Sequence, residues 1–362
     1  MWFHGRRSRY NLIKSSLENE SRVDDYLVKK FGLESSGIAL FKVARFKGRL
    51  KVWRSLFFIP AIPVYYVFQL ILSLLEKKDI KFAQTDSLFL SFTASPKIVE
   101  LHREYANDLP YLHCVKGTKL YFVSTLSPLC ILLCYFISLY YSVRFLLGSR
   151  VNYYLHTANV FELVLFSFYL EKLSRCGVKS ITLTNHYDRW ITLIAGTALF
   201  DVNVIQHGLI DNEYYPAHKL DNINSLRAFS DKQIDIFNNN IYTHPVSNLN
   251  YLKANLQIDQ DDKCDCLIVS NPFFIEAELQ IYQQLKNGKV DVKFRPHPLF
   301  TTQAVLNEID ENDLCLNKRF PSPKVCIYRS STLGNEYEMM GYKTIEWSEE
   351  TTTDDIIAAV RG

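Results

Sequence analysis

The sequence predicts an α/β protein made of two doubly wound domains, each built on a parallel sheet. A chain of 362 residues, 48% of them hydrophobic, is long enough for two domains with cores of their own. From about residue 150 onward, β-branched strands alternate with apolar helices, which is typical of βαβ units. The alternation pauses at the polar residues Asn238 to Asn240 and then resumes. We therefore expect an N-terminal domain over residues 1–250 and a C-terminal domain over residues 251–362.

The predicted elements follow one another in this order. Before residue 150, two strands are predicted, at Asp86–Ala94 and Tyr111–Val115. The rest of the first domain is predicted as the helix Val160–Leu173, the strand Ser180–Thr184, the helix Arg189–Phe200 and the strand Val202–Ile205. The second domain is predicted as strands Cys266–Ser270, Val290–Phe294, Val325–Tyr328 and Thr344–Trp347, with helices at Ile275–Leu285 and Glu336–Met340. Ligands of such sheets bind beyond the carboxyl ends of the strands, so residues that follow a strand are candidate ligands.

The charge is distributed unevenly along the chain. In total, 41 Lys and Arg face 38 Asp and Glu, a balance that argues against a nucleic-acid partner. Residues 1–54, however, hold 13 Lys and Arg against five Asp and Glu, and an uncharged apolar run over residues 55–75 follows directly. A basic segment beside an apolar one is typical of proteins held at an anionic cytoplasmic leaflet.

A second uncharged run covers residues 120–143 and is long enough to cross about 30 Å of hydrocarbon. If both runs spanned the membrane, the strands predicted between them would lie on its far side together with their Lys and Arg residues. Such an arrangement contradicts the positive-inside tendency. We therefore expect peripheral or monotopic association with the cytoplasmic face of the inner membrane. True membrane spans and plain core helices are the alternatives. The 14% of aromatic residues is consistent with a membrane interface or a sugar-handling surface.

The cysteines and the N-terminus indicate a cytosolic compartment. The eight cysteines form no CxxC pair and stand near no paired histidines at zinc spacing, so we expect them to be reduced core residues. No apolar segment typical of a secretory leader follows Arg6, Arg7 and Arg9. We expect no cofactor and no obligatory metal.

The first candidate site is Gln206-His207-Gly208, which follows a predicted strand. A glycine just past a strand lets the backbone turn sharply and a ligand approach closely. His207 is predicted to hydrogen-bond a sugar or phosphate oxygen, and Asp211 or Glu213 to take a proton from an acceptor hydroxyl. The polar loop 185–189 leaves its strand at the same edge. The structural alternative is a loop whose histidine caps a neighbouring strand.

The second candidate site is Arg295-Pro296-His297-Pro298, which follows the strand VDVKF. The two prolines restrict the backbone on both sides of one imidazole. His297 presented in this way is suited to donate a hydrogen bond to a phosphate or leaving-group oxygen, and Arg295 adds a guanidinium suited to the same anion. A chance His-Pro dipeptide is the alternative.

The third candidate site covers residues 328–336, where a strand is followed by hydroxyl residues that open a helix. Ser330, Ser331 and Thr332 precede that helix, and amides at a helix start bind phosphate. Glu336, one turn into the helix, is predicted to hold a ribose hydroxyl pair. The alternative is that the serines only cap the helix.

The order of these motifs resembles that of a known enzyme family. A strand with QHG in the first half, followed by a strand with RPHP and a strand with SST in the second, is similar to bacterial surface-polysaccharide glycosyltransferases of the GT-B fold, in which two Rossmann-like domains face a cleft. Among these, the set resembles the sialyl- and Kdo-transferases that use CMP-activated sugars and carry HP and Ser/Thr motifs. The resemblance implies that His297 and residues 330–332 bind the nucleotide phosphate and that an acid of the first domain is the base.

The sequence therefore favours a glycosyltransferase that extends a capsule, O-antigen or lipooligosaccharide glycan. Its expected partners are a nucleotide-sugar donor, a glycan or lipid-linked glycan acceptor, the membrane surface and components of an assembly complex. The short acidic-acidic-glycine element of the CMP-sugar enzymes is missing, and Asp211, Glu213 or Asp188 would take its place. Two alternatives stay open: a phosphotransferase that polymerises polyol phosphates from CDP-linked donors, and a scaffold that binds sugar nucleotides without chemistry.

Overall fold

The structure is a computed structural model that describes most of the chain. The described residues are 8–31, 64, 67, 68, 71, 85–93, 95–116, 119–148, 157–254, 256–271, 274–297, 306–316, 320–348 and 350–361. The chain divides into two compact units, Met1–Tyr251 and Leu252–Gly362.

Unit 1 is built on a six-stranded parallel sheet with the strand order β2-β1-β5-β6-β7-β8. Its strands are β1 (Ser87–Ser91), β2 (Tyr111–His113), β5 (Ser180–Leu183), β6 (Asp201–Ile205), β7 (Ile223–Ala228) and β8 (Asn248–Tyr251). A short antiparallel pair, β3 (Val115–Lys116) and β4 (Lys119–Leu120), lies outside this sheet. The chain adds β2 on one side of β1 and later strands on the other, so the direction of winding reverses between β1 and β5. Such a reversal opens a crevice at the carboxyl ends of the two strands.

The helices described in unit 1 are α1 (Arg9–Phe31), α2 (Pro96–Tyr105), α3 (Pro128–Gly148), α4 (Thr157–Arg175), α5 (Arg189–Thr197) and α6 (Asp231–Ile236). A 3₁₀ turn at Tyr121–Thr125 precedes α3, and one π turn at Phe237–Ile241 continues α6. Helix α4 is almost fully buried over Val160–Phe166, with the exception of Glu162, and at Tyr169. This burial explains why α4 is apolar on every side rather than amphipathic.

Helix α1 belongs to the core of unit 1, which sequence patterning did not predict. Leu12, Ile13 and Leu17 are at most 2% exposed and pack in the same core as α4 and α5. The carboxylate of Glu20 accepts a hydrogen bond of 2.6 Å from Arg189 at the start of α5. Part of the basic N-terminal segment is thereby engaged inside the protein, since Arg9 likewise pairs with Glu171 on α4.

The two apolar runs differ in how much of them the structure describes. Run 120–143 forms the 3₁₀ turn and α3, and Pro128 begins the helix rather than interrupting it, because proline is tolerated in the first turn. Residues 128–145 form a helix long and apolar enough to cross a membrane, and 22% of that stretch is buried. Run 55–75 lies outside the described residues except for Val64, Val67, Phe68 and Ile71, which are helical and exposed.

Unit 2 is built on a four-stranded parallel sheet with the order β10-β9-β11-β12. Its strands are β9 (Ile258–Val269), β10 (Val292–Arg295), β11 (Phe320–Tyr328) and β12 (Lys343–Glu346), and its helices are α7 (Ile275–Asn287), α8 (Thr332–Met339) and α9 (Thr353–Arg361). Here too the direction of winding reverses, between β9 and β11. Parallel sheets flanked by helices in both units confirm the predicted fold class of two α/β domains.

Strands β9 and β11 begin earlier than sequence patterning predicts. The expected strands were Cys266–Ser270 and Val325–Tyr328, because the preceding residues are charged or proline. In the structure the acidic stretch Asp259–Asp265 continues β9 and pairs with Phe320–Pro323 through a register shift after Pro321. Strand β10 pairs with β9 only from Cys266 onward, so one edge of this extension stays open to solvent and tolerates charged side chains.

Candidate functional site

Polar side chains of unit 2 gather where its strands end, here called the unit 2 edge. Strand β9 leads into Ser270 and Asn271, β10 into Pro296 and His297, β11 into Arg329 and Ser330, and β12 into Trp347. Parallel strands end at one edge of the sheet, so these loops are neighbours. The point of reversal between β9 and β11 lies in the middle of this edge.

Asn271 connects the two central loops of the unit 2 edge. Its side-chain amide donates hydrogen bonds to the backbone carbonyls of Arg329 (3.1 Å) and Ser330 (3.4 Å). Ser330 adopts a left-handed conformation with φ of 51°, which is unfavourable for a residue other than glycine. The backbone N–H of Ser330 donates to the carboxylate of Glu346 at 3.3 Å. The strained turn is thus fixed from both neighbouring strands, which is the pattern of a preorganised binding loop.

Helix α8 starts directly after this turn. Ser331 occupies the N-cap position with extended backbone, yet its side chain makes no capping hydrogen bond. Since the amides of a first helical turn have no partner within the helix, they point toward whatever lies before Ser331. Thr332 opens the helix, and Glu336 is partly buried one turn later. The predicted alternative, in which the serines serve as side-chain caps, therefore does not describe Ser331.

A glycine allows α8 to lie against β11. A Cβ at Gly334 would come within 2.1 Å of Cγ of the Tyr328 ring. Gly334 is buried and Tyr328 is 3% exposed. The third glycine of dinucleotide-binding loops allows the same close contact between helix and strand.

Arg329 packs against two aromatic rings that also contact each other. Its guanidinium carbon lies 4.0 Å from the ring centre of Phe274 and 4.9 Å from that of Trp347. The indole Nε1 of Trp347 is buried without a hydrogen-bond partner among the described residues. Arg329 is only partly buried, so the stacking orients a cation beside the α8 turn.

Glu278 on α7 is a buried acid behind this edge. Its two carboxylate oxygens accept hydrogen bonds from the backbone N–H of Asn271 at 2.9 and 3.1 Å. Burial raises the pKa of Glu278 to about 7, although Ser270, the Asn271 amide and the charge of Arg329 act in the opposite direction. Glu278 holds Asn271 in place and, through it, the Ser330 turn.

Arg295 is the last residue of β10, and His297 lies on the loop that follows this strand. The guanidinium of Arg295 donates to the backbone carbonyl of Cys315 and lies 4.9 Å from the ring centre of Phe320. Burial lowers the pKa of the His297 ring below its usual range, which favours a neutral imidazole. Pro298 falls outside the described residues. Arg295 thus has contacts within its own unit. Arg329 is the guanidinium beside the α8 turn, and sequence reasoning assigned it no role.

Two histidines meet at the carboxyl edge of the unit 1 sheet. The His207 Nδ1 lies 2.6 Å from the carbonyl oxygen of Thr184, and the His207 backbone N–H donates to Nε2 of His186 at 3.2 Å. The two rings stack with centres 4.5 Å apart. A carbonyl can only accept, so Nδ1 of His207 carries the proton and Nε2 is left as an acceptor.

Both imidazoles are neutral at pH 7. Burial lowers the pKa of His207 to about 4, with a further contribution from the charge of Lys97, and lowers that of His186 well below its usual value. Lys97 follows β1, which is the neighbour of β5 in the sheet. Sequence reasoning missed Lys97 because the adjacency of β1 and β5 cannot be read from the order of the elements along the chain.

Two buried glutamines fix the loop that carries His207. The Gln206 amide donates to the Gly208 carbonyl at 2.9 Å and to the side chain of Gln233. Gln233 in turn exchanges two hydrogen bonds with the backbone of Ile210. The loop after β6 is therefore rigid, as a site loop should be.

The predicted acids of unit 1 have different surroundings. Asp211 accepts a hydrogen bond of 3.0 Å from the Glu213 backbone N–H and interacts with the Tyr26 hydroxyl, while Glu213 is exposed. Asp188 is the N-cap of α5 and accepts from the backbone N–H groups of Trp190 and Ile191. Burial and the charge of Glu20 raise the pKa of Asp188 to about 6. Asp188 thus has a structural role, while the catalytic roles of Asp211 and Glu213 remain predictions.

One further feature, a groove, lies apart from these edges. A groove of about 570 Å³ at the amino ends of β5, β6 and β7 is lined by residues such as Lys179, Asp201 and Asn222. It opens at the edge opposite His207. Among the described residues, no group of three or more His, Cys, Asp or Glu side chains is arranged to hold a metal ion.

No family model matches the sequence. No curated protein matches it either. Among solved structures, the chain is similar to MurG of Acinetobacter baumannii, with 10% identity over 76% of this chain and 82% of that chain, and a TM-score of 0.33. The fold assignment rests on the strand order of the two sheets.

Proposed function

We propose that this protein is a glycosyltransferase that moves a sugar from a nucleotide-activated donor to a lipid-linked or growing surface glycan. One observation carries the proposal: the strained Ser330 turn and the start of α8 lie at the point of reversal of the unit 2 sheet. Ligands of doubly wound sheets bind at this point, and a helix start there favours phosphate.

In this proposal, unit 2 binds the donor. The phosphate lies against the amides of the first turn of α8 and the hydroxyls of Ser331 and Thr332. Arg329, oriented by Phe274 and Trp347, supplies a guanidinium to the same anion. His297 donates to the leaving-group oxygen, and Glu336 holds the ribose. These groups stabilise the charge that develops on the departing nucleotide.

Unit 1 acts on the acceptor in this proposal. The lone pair on Nε2 of His207 accepts a hydrogen bond from the acceptor hydroxyl, because Nδ1 is committed to Thr184. The hydroxyl oxygen attacks the anomeric carbon, the bond from that carbon to the phosphate oxygen breaks, and the hydroxyl proton passes to a base. His207 is the first candidate for that base, and Asp211 and then Glu213 follow. A direct displacement of this kind inverts the anomeric centre.

The experiment is a turnover assay with the full chain. Purified protein is incubated with CMP-, CDP-, UDP- and GDP-activated sugars and a bacterial lipid-linked glycan extract, and both nucleotide release and the product linkage are measured. We expect one donor to be turned over. Release is expected to fall at least tenfold in Ser331→Ala/Thr332→Ala, since positioned donors to a developing anion are typically worth that much or more.

The matched control is Ser322→Ala, which removes a hydroxyl near the amino end of β11, away from the unit 2 edge. A phosphodiester in the product would instead establish a CDP-polyol phosphotransferase. Nucleotide binding without turnover of any donor would contradict the enzymatic proposal and favour a scaffold.

A further inference from the structure

Helix α3 carries a continuous exposed apolar surface, here called the α3 apolar face. Its members are between 38% and 76% exposed: Leu129, Leu132, Leu133, Phe136, Leu139, Tyr140 and Val143. They recur at intervals of three and one residues, so they form one stripe on the helix. At 1.5 Å per residue, the stripe is about 21 Å long. Soluble proteins rarely expose contiguous apolar patches of this kind unless something binds them.

The opposite side of α3 belongs to the core of unit 1. Ile131, Cys134 and Phe145 are at most 2% exposed, and Ser138 is fully buried. These residues pack against α4 and α1, with Phe145 stacked on Tyr10 at 4.8 Å. A helix docked to its domain along this whole length cannot be surrounded by lipid, so the α3 apolar face is available only from one side.

The chain segment that contains α3 carries charge of one sign. Between Asp108 and Glu162 the sequence contains no acidic residue and four basic ones, Lys116, Lys119, Arg144 and Arg150. Arg144 is exposed at the C-terminal end of the stripe, and its guanidinium lies 3.9 Å from the ring centre of Tyr10. A basic residue at the end of an apolar face matches the negative charge of a phospholipid surface. Pairing of this face with a second copy would leave this positive charge without an opposite partner.

We propose that the α3 apolar face inserts into an anionic lipid surface with the helix axis parallel to the membrane plane. Such an insertion covers the stripe, keeps the buried side of α3 in its domain, and leaves Arg144 at the phosphate level. This inference does not depend on sugar transfer. It assigns to α3 the membrane contact that the sequence predicts for run 120–143, and it excludes α3 as a span.

The first test is sedimentation of the full chain with vesicles of phosphatidylcholine alone or mixed with phosphatidylglycerol. We expect partition into the anionic vesicles, and a loss of about tenfold or more in Leu132→Gln/Leu133→Gln/Phe136→Gln, since three large side chains lose their transfer into lipid. The matched control is Leu316→Gln, which changes an apolar residue that is 62% exposed in unit 2. Circular dichroism verifies that each variant is folded.

Two results of this test would overturn the proposal. One is that the triple variant binds anionic vesicles as well as the parent chain does. The other is that the parent chain does not bind vesicles at all. In that case other residues of the same chain or a second copy would cover the α3 apolar face. Light scattering identifies the second copy, since the triple variant would then convert a dimer to a monomer.

The second test measures the orientation of α3. Leu129→Trp, Phe136→Trp and Val143→Trp are each bound to anionic vesicles that contain lipids brominated at shallow or deep acyl positions. The quenching of each variant beyond that of the parent chain then reports how deep the introduced tryptophan lies in the bilayer. We expect the same shallow depth at all three positions. Deep quenching at residue 136 with shallow quenching at 129 and 143 would show a spanning helix and overturn the parallel geometry.

Discussion

Protonation of the buried Glu278 should make the stability of unit 2 depend on pH. The pKa of Glu278 is about 7 in the folded chain against a usual 4.5. Between pH 4.5 and pH 7, Glu278 therefore keeps its proton in the folded state but has released it in the unfolded state. The stability of unit 2 falls as pH rises through this window. At 1.36 kcal/mol per pKa unit, the loss amounts to about 3 kcal/mol by pH 8.

The perturbation is Glu278→Gln, which keeps the shape and a carbonyl oxygen for the Asn271 amide but cannot ionise. The stability of the variant relative to the parent chain is expected to rise by about 3 kcal/mol between pH 4.5 and pH 8. Trp347, the one tryptophan between residues 252 and 362 of the sequence, allows unit 2 to be followed alone. Urea unfolding of the full chain labelled with 5-fluorotryptophan is recorded by ¹⁹F NMR across the pH range.

Glu276 supplies the matched control. It lies exposed on the first turn of the same helix, so Glu276→Gln removes a carboxylate without touching the buried contact to Asn271. The reasoning is refuted if the stability difference between Glu278→Gln and the parent chain is the same at pH 4.5 and pH 8.

Three further perturbations test the surroundings of the candidate sites. His207, with a pKa of about 4, should show no imidazole titration by NMR between pH 6 and 8. Unit 1 should lose stability as pH falls from about 6.5 toward 4, because the imidazole of the unfolded state takes up its proton first. An NMR titration midpoint of His207 near pH 6.5 would contradict the burial of its ring. Gly334→Ala should destabilise unit 2 by about 3 kcal/mol in urea unfolding, because the new Cβ meets the Tyr328 ring. Adding Tyr328→Leu should restore part of the lost stability. If the effects of the two substitutions on stability simply add, the clash is not the cause. Arg189→Met should lower the free energy of unfolding of unit 1 by about 3 to 5 kcal/mol, because the buried Glu20 carboxylate loses its partner at 2.6 Å. Hydrogen exchange in α1 should accelerate in this variant. Unchanged exchange would show that other contacts anchor α1.

The fold class could be predicted because the alternation of strands and helices is local. Short β-branched segments such as Ser180–Leu183 and apolar helices such as α4 are visible in the sequence without knowledge of their neighbours. The strands β7 and β8 and the helix α1 were missed. Residues Ile223–Ala228 alternate polar and apolar side chains too weakly to stand out, and α1 is recognised as part of the core only when its contacts to α5 are known.

The candidate site could be predicted only where the relevant residues follow a strand directly. His207, His297 and residues 330–332 were singled out in this way, and their roles stay predictions. Asn271 has the same signature after β9 and could have been found by the same rule. Glu278 could not, because its role depends on a hydrogen bond to a loop seven residues away, and Arg329 depends on two rings that only the folded chain brings beside it.

The most direct test of the donor site is nucleotide binding to the full chain followed by hydrogen exchange. CMP, CDP, UDP and GDP are titrated by calorimetry, and the exchange of the complex is compared with that of the protein alone. We expect one nucleotide to bind and to slow exchange at Asn271, at His297 and over residues 329–333. Slowed exchange confined to unit 1, or no binding of any nucleotide, would contradict the assignment of the donor site to the unit 2 edge.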